Sequence, residues 1–476
     1  MKVQNISKAK RISNNMDAIN EKRSNVSRGA FATALGAVVA TLGSAVGLGN
    51  IWKFPYVTGE NGGAAFLIVY VICTLLVGLP VMISEIAMGR KARANAITTM
   101  QRVSEKNNQP WWLIGAVGAL AAFVILAFYT EVAGWVYAYV LKSLGGGVLS
   151  SDPAVTAKFF TDLVTSPAQS LLWQWIVLVV ISVIIILGVS KGIERATKFM
   201  IPSLFVLVLV VAIRSLTLDS GATSQGLAFL FKPDFSKITA EAVLVAMGLA
   251  FFKLSVGMGT MITYGSYWQD DQNVPVKTTI IMFSDLLVSL LAGLAIFPAV
   301  YAFGFEPTAG PSLLFITIPA VFASMPLGQV FMLLFFLLTA FAATGAMLSL
   351  IEVPVAFLNE RFNLSRAKAT ILTSILLAVI GSTAALSSST LANFRPFRKT
   401  MFDLFDFLSS NIMLPVGGLF IAIFVGWVWG RKNVEAELSN HGMLKNQTVI
   451  SGFLFITRFI TPVLVVLVLL RGLGVF

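Results

Sequence analysis

Lys253 is a charged residue in the middle of an apolar run, where an ionic group is expensive and marks function by default. Two residues on begins Ser255-Val256-Gly257-Met258-Gly259, and nearly the same segment, Ala45-Val46-Gly47-Leu48-Gly49, lies in an apolar run near the N-terminus. A G-x-G in mid-helix weakens the helix and frees backbone N–H and C=O groups at bilayer depth. Matched breaks in the two halves of a polytopic protein are the sequence mark of a transporter substrate site. Glu85 is a second charge within an apolar run, and its expected job is to hydrogen-bond broken backbone. Other chemistries lack their residues. The chain has 1 Cys (Cys73) and 1 His (His441), which excludes an intrachain disulfide and argues against thiolate or imidazole metal sites. No nucleophile–base constellation, phosphate loop or metal cluster is visible, so neither an enzyme nor a resident cofactor is expected. No repeated filter points to a channel.

The elements that must carry these breaks are membrane helices. Of 476 residues, 57% are hydrophobic and 12% charged, which does not suit a soluble globular protein. The net charge of +12 does not point to nucleic acid, because the basic residues recur at the ends of apolar segments. Residues 1–28 read as a cytoplasmic tail rather than a cleaved signal. Eleven transmembrane helices are expected at about 29–57, 63–89, 111–142, 168–189, 198–217, 240–268, 277–304, 326–358, 367–387, 400–429 and 446–470. Residues 311–351 carry no charge and are too long for one span. Pro311, Pro319 and Pro326 predict a re-entrant or surface helix before the eighth. Arg458 interrupts the eleventh. Basic clusters from Lys2 to Arg28, at Arg90/Lys91/Arg93, Lys191/Arg195/Lys198, Arg361/Arg366/Lys368 and Arg431/Lys432 place the N-terminus in the cytoplasm, and an odd span count puts Phe476 outside. The G-x-G breaks fall in spans one and six, a five-span offset.

The residues around the first break are distinctive: Gly43-Ser-Ala-Val-Gly-Leu-Gly-Asn-Ile-Trp-Lys-Phe-Pro-Tyr56, followed by Glu60-Asn-Gly-Gly-Ala-Ala-Phe66. With Ser84-Glu-Ile-Ala-Met-Gly-Arg90, Ser190-Lys-Gly-Ile-Glu-Arg195 and Ile262-Thr-Tyr-Gly-Ser-Tyr267, they resemble the neurotransmitter:sodium symporter family, specifically its bacterial amino-acid transporters. The resemblance covers residues 28–470. It implies an all-α polytopic fold of two inverted five-helix repeats, 29–217 and 240–429. Helices one and six are unwound at mid-membrane, residues 446–476 form the eleventh helix and C-terminus, and transport is by alternating access in the inner membrane.

The resemblance also implies a site. N–H groups near Leu48 and Gly49 would hold a substrate carboxylate, helped by the helix dipole. The Tyr129 hydroxyl, six residues before Trp135, would bind the same carboxylate. Carbonyls of Gly43, Ala45 and Val46, with Asn50 and Ala342, would hold cations. Ile125, Phe252, Ser255, Met258, Ala346 and Leu350 would line the side-chain pocket and suit a neutral amino acid with an aliphatic, thioether or small aromatic side chain. Lys53 and Asp406 occupy the outer-gate positions; Arg28 and Glu360, with Ser266 and Tyr267, occupy the inner-gate positions.

Two departures bear on the driving ion. At the first sodium site Lys253 aligns with a family hydroxyl and Asp285 with the ligand of span seven. An ammonium and a sodium ion cannot share one small cavity of low dielectric. Lys253 is therefore expected to replace that sodium, to neutralise the substrate carboxylate and to pair with Asp285. At the second site, Gly345 and Ala346 stand where the family has hydroxyls, and Thr344 is about 100° away around the helix. Weak or absent sodium coupling is expected, with a proton as the substitute, carried by Lys253, Asp285, Glu85 or Glu131. Ser289 lies at the position of the serine in chloride-dependent members, but Asp285 already supplies a fixed negative charge, so no chloride requirement is expected. The alternatives are ordinary sodium symport and, in another class, an amino-acid-binding sensor that does not transport. The sequence does not address oligomeric state.

Overall fold

A computed structural model describes residues 29–104, 109–146, 149–218, 220–304 and 313–475. The described residues are helical with connecting turns and contain no strand. Among the described residues, nine helices are long and apolar enough to cross a membrane, and the bent pair Ala34–Ala45 and Gly49–Glu60 makes a tenth. The remaining expected span is Ala240–Lys253 and Thr260–Gly265, with residues 254–259 non-helical between them. Each half is too short to cross alone. The expected boundaries agree with the observed helices within a few residues, except that the fifth span begins at Val189 and the tenth runs on to Leu438. The predicted helix before span eight is Thr317–Ala323, buried rather than on the surface; Pro319 lies within it, and Pro311 lies outside the described residues.

Burial separates centre from rim. In span eight (Gly328–Phe362) 67% of the most apolar window is buried, and in span three (Trp112–Leu144) 61%, against 33% in spans four, nine and eleven. The exposed faces of the latter carry Val179, Val183, Ile371, Ile375, Val463 and Leu467. Large apolar side chains can face outward there because lipid tails are as apolar as they are.

Several spans share one local device. Wide helical turns at Gly49–Lys53, Thr74–Gly78, Phe407–Met413 and Ile456–Ile460 each run into a proline at the next helix start: Pro55, Pro80, Pro415 and Pro462. Proline has no N–H, so the carbonyl four residues earlier loses its partner. Neighbouring spans supply donors. The Thr461 hydroxyl donates to the Leu76 carbonyl at 2.7 Å, four residues before Pro80. The Trp427 indole donates to the Arg458 carbonyl at 3.3 Å, four residues before Pro462. Arg458 itself donates to the Gly426 carbonyl at 2.7 Å and lies over the Trp427 ring, which explains a charge within the eleventh span.

The far end of span two is fastened by Arg90, 2% exposed. It donates to the Glu437 carboxylate at 2.5 Å, to the Gln272 carbonyl at 2.6 Å and to the Glu437 carbonyl. This ties span two and the connection between spans six and seven to the short helix Gly430–Leu438. Removing one partner of a buried pair leaves a charge uncompensated, a loss of about 3–5 kcal/mol. Arg90→Ala should therefore markedly lower the unfolding temperature of the detergent-purified protein; an unchanged melting curve would contradict this role.

Candidate functional site

The two helix breaks face each other at the centre. In span six the chain unwinds through Ser255 (φ 52°), Gly257 (φ 80°) and Gly259 (φ 73°). Left-handed backbone is unfavourable for serine, and its hydroxyl holds it there by donating to the Ser44 carbonyl in the first break at 2.8 Å. Gly257 cannot be replaced cheaply, because an added Cβ would lie 2.5 Å from the Leu414 carbonyl of span ten. Its N–H donates to Glu85 at 2.6 Å, so the carboxylate of span two caps broken backbone as its sequence context predicts. In span one, Asn50 accepts from the Gly47 N–H at 3.2 Å, and the Leu48 N–H donates to the Tyr129 hydroxyl at 2.8 Å. That hydroxyl accepts from the backbone and keeps its own proton to donate.

Between the breaks lies a small cavity. Its wall includes Ala45, Gly49, Ile125, Tyr129, Phe252, Ser255, Met258, Ala346 and Leu350, all expected from sequence, together with Ser44, Gly47 and Lys253. Leu48 is the exception. Its side chain is fully buried and absent from the wall, because the resuming helix leaves only its N–H directed at Tyr129. The wall thus combines backbone of both breaks with the apolar side chains of Ile125, Met258, Ala346 and Leu350.

Beside this cavity, Asp285 joins three spans. One carboxylate oxygen accepts from the Asn50 amide at 2.6 Å; the other lies 3.1 Å from the Lys253 ammonium. Asn50 also donates to the Asp285 carbonyl at 3.0 Å and to Ser289 at 3.1 Å, and Lys253 donates to the Ser289 hydroxyl. The ammonium sits over the rings of Phe54 and Tyr70, 4.7 and 4.9 Å from their centres. Lys253 and Asp285 are each 1% exposed.

At the seam of spans one and eight, Gly345 lies against the Gly43 carbonyl: an added Cβ would be 2.8 Å from it. The Ala342 carbonyl lies 4.0 Å from where a Gly47 Cβ would stand, and Val46 is fully buried. The Thr344 hydroxyl bonds Tyr137 at 2.6 Å and the Ala340 carbonyl at 2.7 Å, on an unbroken helix.

Above the cavity the Lys53 ammonium lies 4.0 Å from Asp406 and 4.5 Å over the Phe252 ring. On the other side lie Tyr267 and Glu360, two of the expected inner-gate residues. The Tyr267 hydroxyl donates to Glu352 at 2.6 Å, and Arg366 clamps the same carboxylate at 2.9 and 2.5 Å. Glu360 accepts from the Asn95 backbone and side chain, both at 2.8 Å, and Arg28 lies outside the described residues. Glu352 escaped the sequence reading, although a carboxylate in an apolar span carries the same signal as Glu85.

The model of the sodium:neurotransmitter symporter family matches residues 28–150 and 167–476. The chain belongs to that family. YhdH of Bacillus subtilis, described as an uncharacterized sodium-dependent transporter, is 37% identical over 445 residues, 94% of this chain and 98% of its own. An uncharacterized sodium-dependent transporter of Haemophilus influenzae is 33% identical over 458 residues, 94% of this chain and 99% of its own. The crystal structure of MhsT in complex with L-phenylalanine superposes with a TM-score of 0.86 at 38% identity, covering 94% of this chain and all of that one. As a member of this family the chain is a multi-pass membrane transporter and not an enzyme.

Glu85→Ala would leave the Gly257 N–H buried without an acceptor, a loss of about 1–3 kcal/mol. The variant should unfold at lower temperature, while Glu85→Gln, which keeps an acceptor oxygen, should lie much closer to wild type. Equal stability of Glu85→Ala and wild type would count against the capping role.

Proposed function

We propose that this transporter carries a neutral, mainly hydrophobic amino acid by alternating access, with the Lys253 ammonium in the place of the first sodium ion. The observation that carries the reading is the buried triad of Lys253, Asp285 and Asn50, of which Lys253 lines the cavity. A fixed cation already neutralises the carboxylate of span seven and stands beside the break that would receive a substrate carboxylate. The substrate's α-carboxylate would meet the N–H groups near Leu48 and Gly49 and the Tyr129 proton. Its side chain would lie among Ile125, Met258, Ala346 and Leu350, where methionine adapts to several shapes. The L-phenylalanine bound to MhsT supports an amino acid of this kind.

The second cation position supports the same reading. Gly345 fills the seam against the Gly43 carbonyl, and Thr344 is engaged elsewhere, so hard oxygen ligands for sodium are few. We read spans one to five (29–217) and six to ten (240–429) as inverted repeats that rock about this centre, and 446–476 as an added helix. Lys53–Asp406 serves as the outer gate, and the Tyr267–Glu352–Arg366 cluster and Glu360 as inner-gate elements. The expected setting is a bacterial inner membrane, with the N-terminus cytoplasmic and the C-terminus outside. A proton replaces sodium as the coupling ion, and chloride is not required. The second reading is ordinary sodium symport, favoured by the sodium-dependent description of both relatives.

Uptake of labelled L-phenylalanine into proteoliposomes separates the two. The lysine reading predicts little change when sodium is replaced by choline at fixed pH and membrane potential. Lys253→Thr is then expected to lower uptake about tenfold or more, or to make it sodium-dependent, since removing the ammonium strands Asp285. Steep sodium dependence of the wild type would overturn the lysine reading and favour ordinary symport. Saturable binding without any counterflow would favour a sensor.

A further inference from the structure

Glu131 lies within span three, yet nothing in the substrate or cation arrangement uses it. It is 2% exposed, and its Oε2 is buried with no hydrogen-bond partner among the described residues. Two more buried polar atoms nearby are also unsatisfied. The Trp135 indole N–H is one helical turn on, on the same face as Glu131. The Gln174 side-chain oxygen belongs to the residue whose amide donates to Thr130 at 3.2 Å.

Helical periodicity fixes which seam Glu131 faces. Ala127, one turn before it, abuts span nine: its carbonyl lies 2.9 Å from where a Gly381 Cβ would stand. Phe128 and Trp135 meet Phe402 of span ten, with ring centres 5.3 and 6.0 Å apart. Glu131 lies between these two faces, at the seam of spans nine and ten. Trp135 is further enclosed by Phe160 and Phe315.

Ionisable groups on the surrounding elements do not compensate it. Span four, Pro167–Ile186, has none. Span nine has Arg366 and Lys368 at its other end, and Arg366 is committed to Glu352. Span eight has Glu352, Glu360 and Arg361; span ten has Asp403 and Asp406. Helix Pro153–Thr165 has Lys158 and Asp162, and Ala96–Val103 has Arg102. Span three itself adds Tyr129, Tyr137, Tyr139 and Lys142, and Lys253 lies on the Tyr129 side. None of these forms an ion pair with Glu131 among the described residues. An ionised carboxylate without partners in such a site is strongly disfavoured, so the group is held as the neutral acid.

We propose that the Glu131 carboxyl is a proton-binding site whose exchange with water is controlled by the seating of span ten. Phe402 lies one turn before Asp406, the partner of Lys53. When the outer gate opens, Phe402 lifts from Phe128 and Trp135, and water reaches Glu131. The acid O–H bond then breaks, the proton passes to water, and the carboxylate accepts the Trp135 N–H. Closure reverses the step. The coupling of this proton to transport rests on the proposed function above; the site itself does not.

Two measurements on the purified full-length protein in lipid test this. Infrared difference spectra of wild type and Glu131→Gln at neutral pH should show the carbonyl stretch of an un-ionised acid in wild type and its loss in the variant. In proteoliposomes, Glu131→Gln should retain L-phenylalanine exchange but lose the stimulation of uptake by an inward proton gradient. The acid band persisting in Glu131→Gln, or an undiminished response of that variant to the gradient, would overturn the proposal. The band present in wild type and lost in the variant, with no L-phenylalanine exchange by either, would uphold the site and refute the transport reading instead.

Discussion

The contact on which the centre depends is the one Asp285 makes with both Asn50 and Lys253. It ties span one, span six and span seven together through a single carboxylate, one oxygen to each partner. Two opposite charges buried this deeply must satisfy one another, because neither can reach water. Asn50 and Ser289 complete the arrangement, and the aromatic faces of Phe54 and Tyr70 surround the ammonium. The two breaks are thereby held in one register: Ser255 bonds the Ser44 carbonyl, and Lys253 lies against Gly49.

The same constraint governs the rest of the molecule. Backbone freed at membrane depth must find a partner, and here the partners come from neighbouring spans. Glu85 serves the Gly257 N–H, Tyr129 the Leu48 N–H, Thr461 the Leu76 carbonyl and Trp427 the Arg458 carbonyl. Each such bond crosses between helices, so each irregularity also positions one span against another. A transporter needs irregular backbone to bind its substrate and rigid bundles to move around it. The cross-span bonds provide both.

Much of this was legible in the sequence, for physical reasons. Apolar length marks spans, so nearly all of them were placed within a few residues. Span six was placed by apolar length too, although residues 254–259 interrupt its helix and leave each half short of a membrane crossing. Intramembrane charge marked Lys253 and Glu85. The Lys253–Asp285 pair was anticipated from the family resemblance, which aligns both residues with one cation site. What stayed hidden was side-chain direction. Nothing in the spacing says that Leu48 turns its side chain away from the cavity, or that Tyr267 chooses Glu352. The wide turns before Pro55, Pro80, Pro415 and Pro462 were hidden too, since a proline announces a lost hydrogen bond but not which neighbour replaces it.

The central claim is that a side-chain ammonium stands where a sodium ion would otherwise bind. An experimental structure of the protein with L-phenylalanine, determined in sodium-containing buffer at a resolution that shows monovalent ions, tests it most directly. The account predicts the Lys253 nitrogen between Asp285 and the substrate carboxylate, with no ion held by Asn50 and the Ala45 carbonyl. A sodium ion ligated by those two groups, with Lys253 turned away from Asp285, would contradict it.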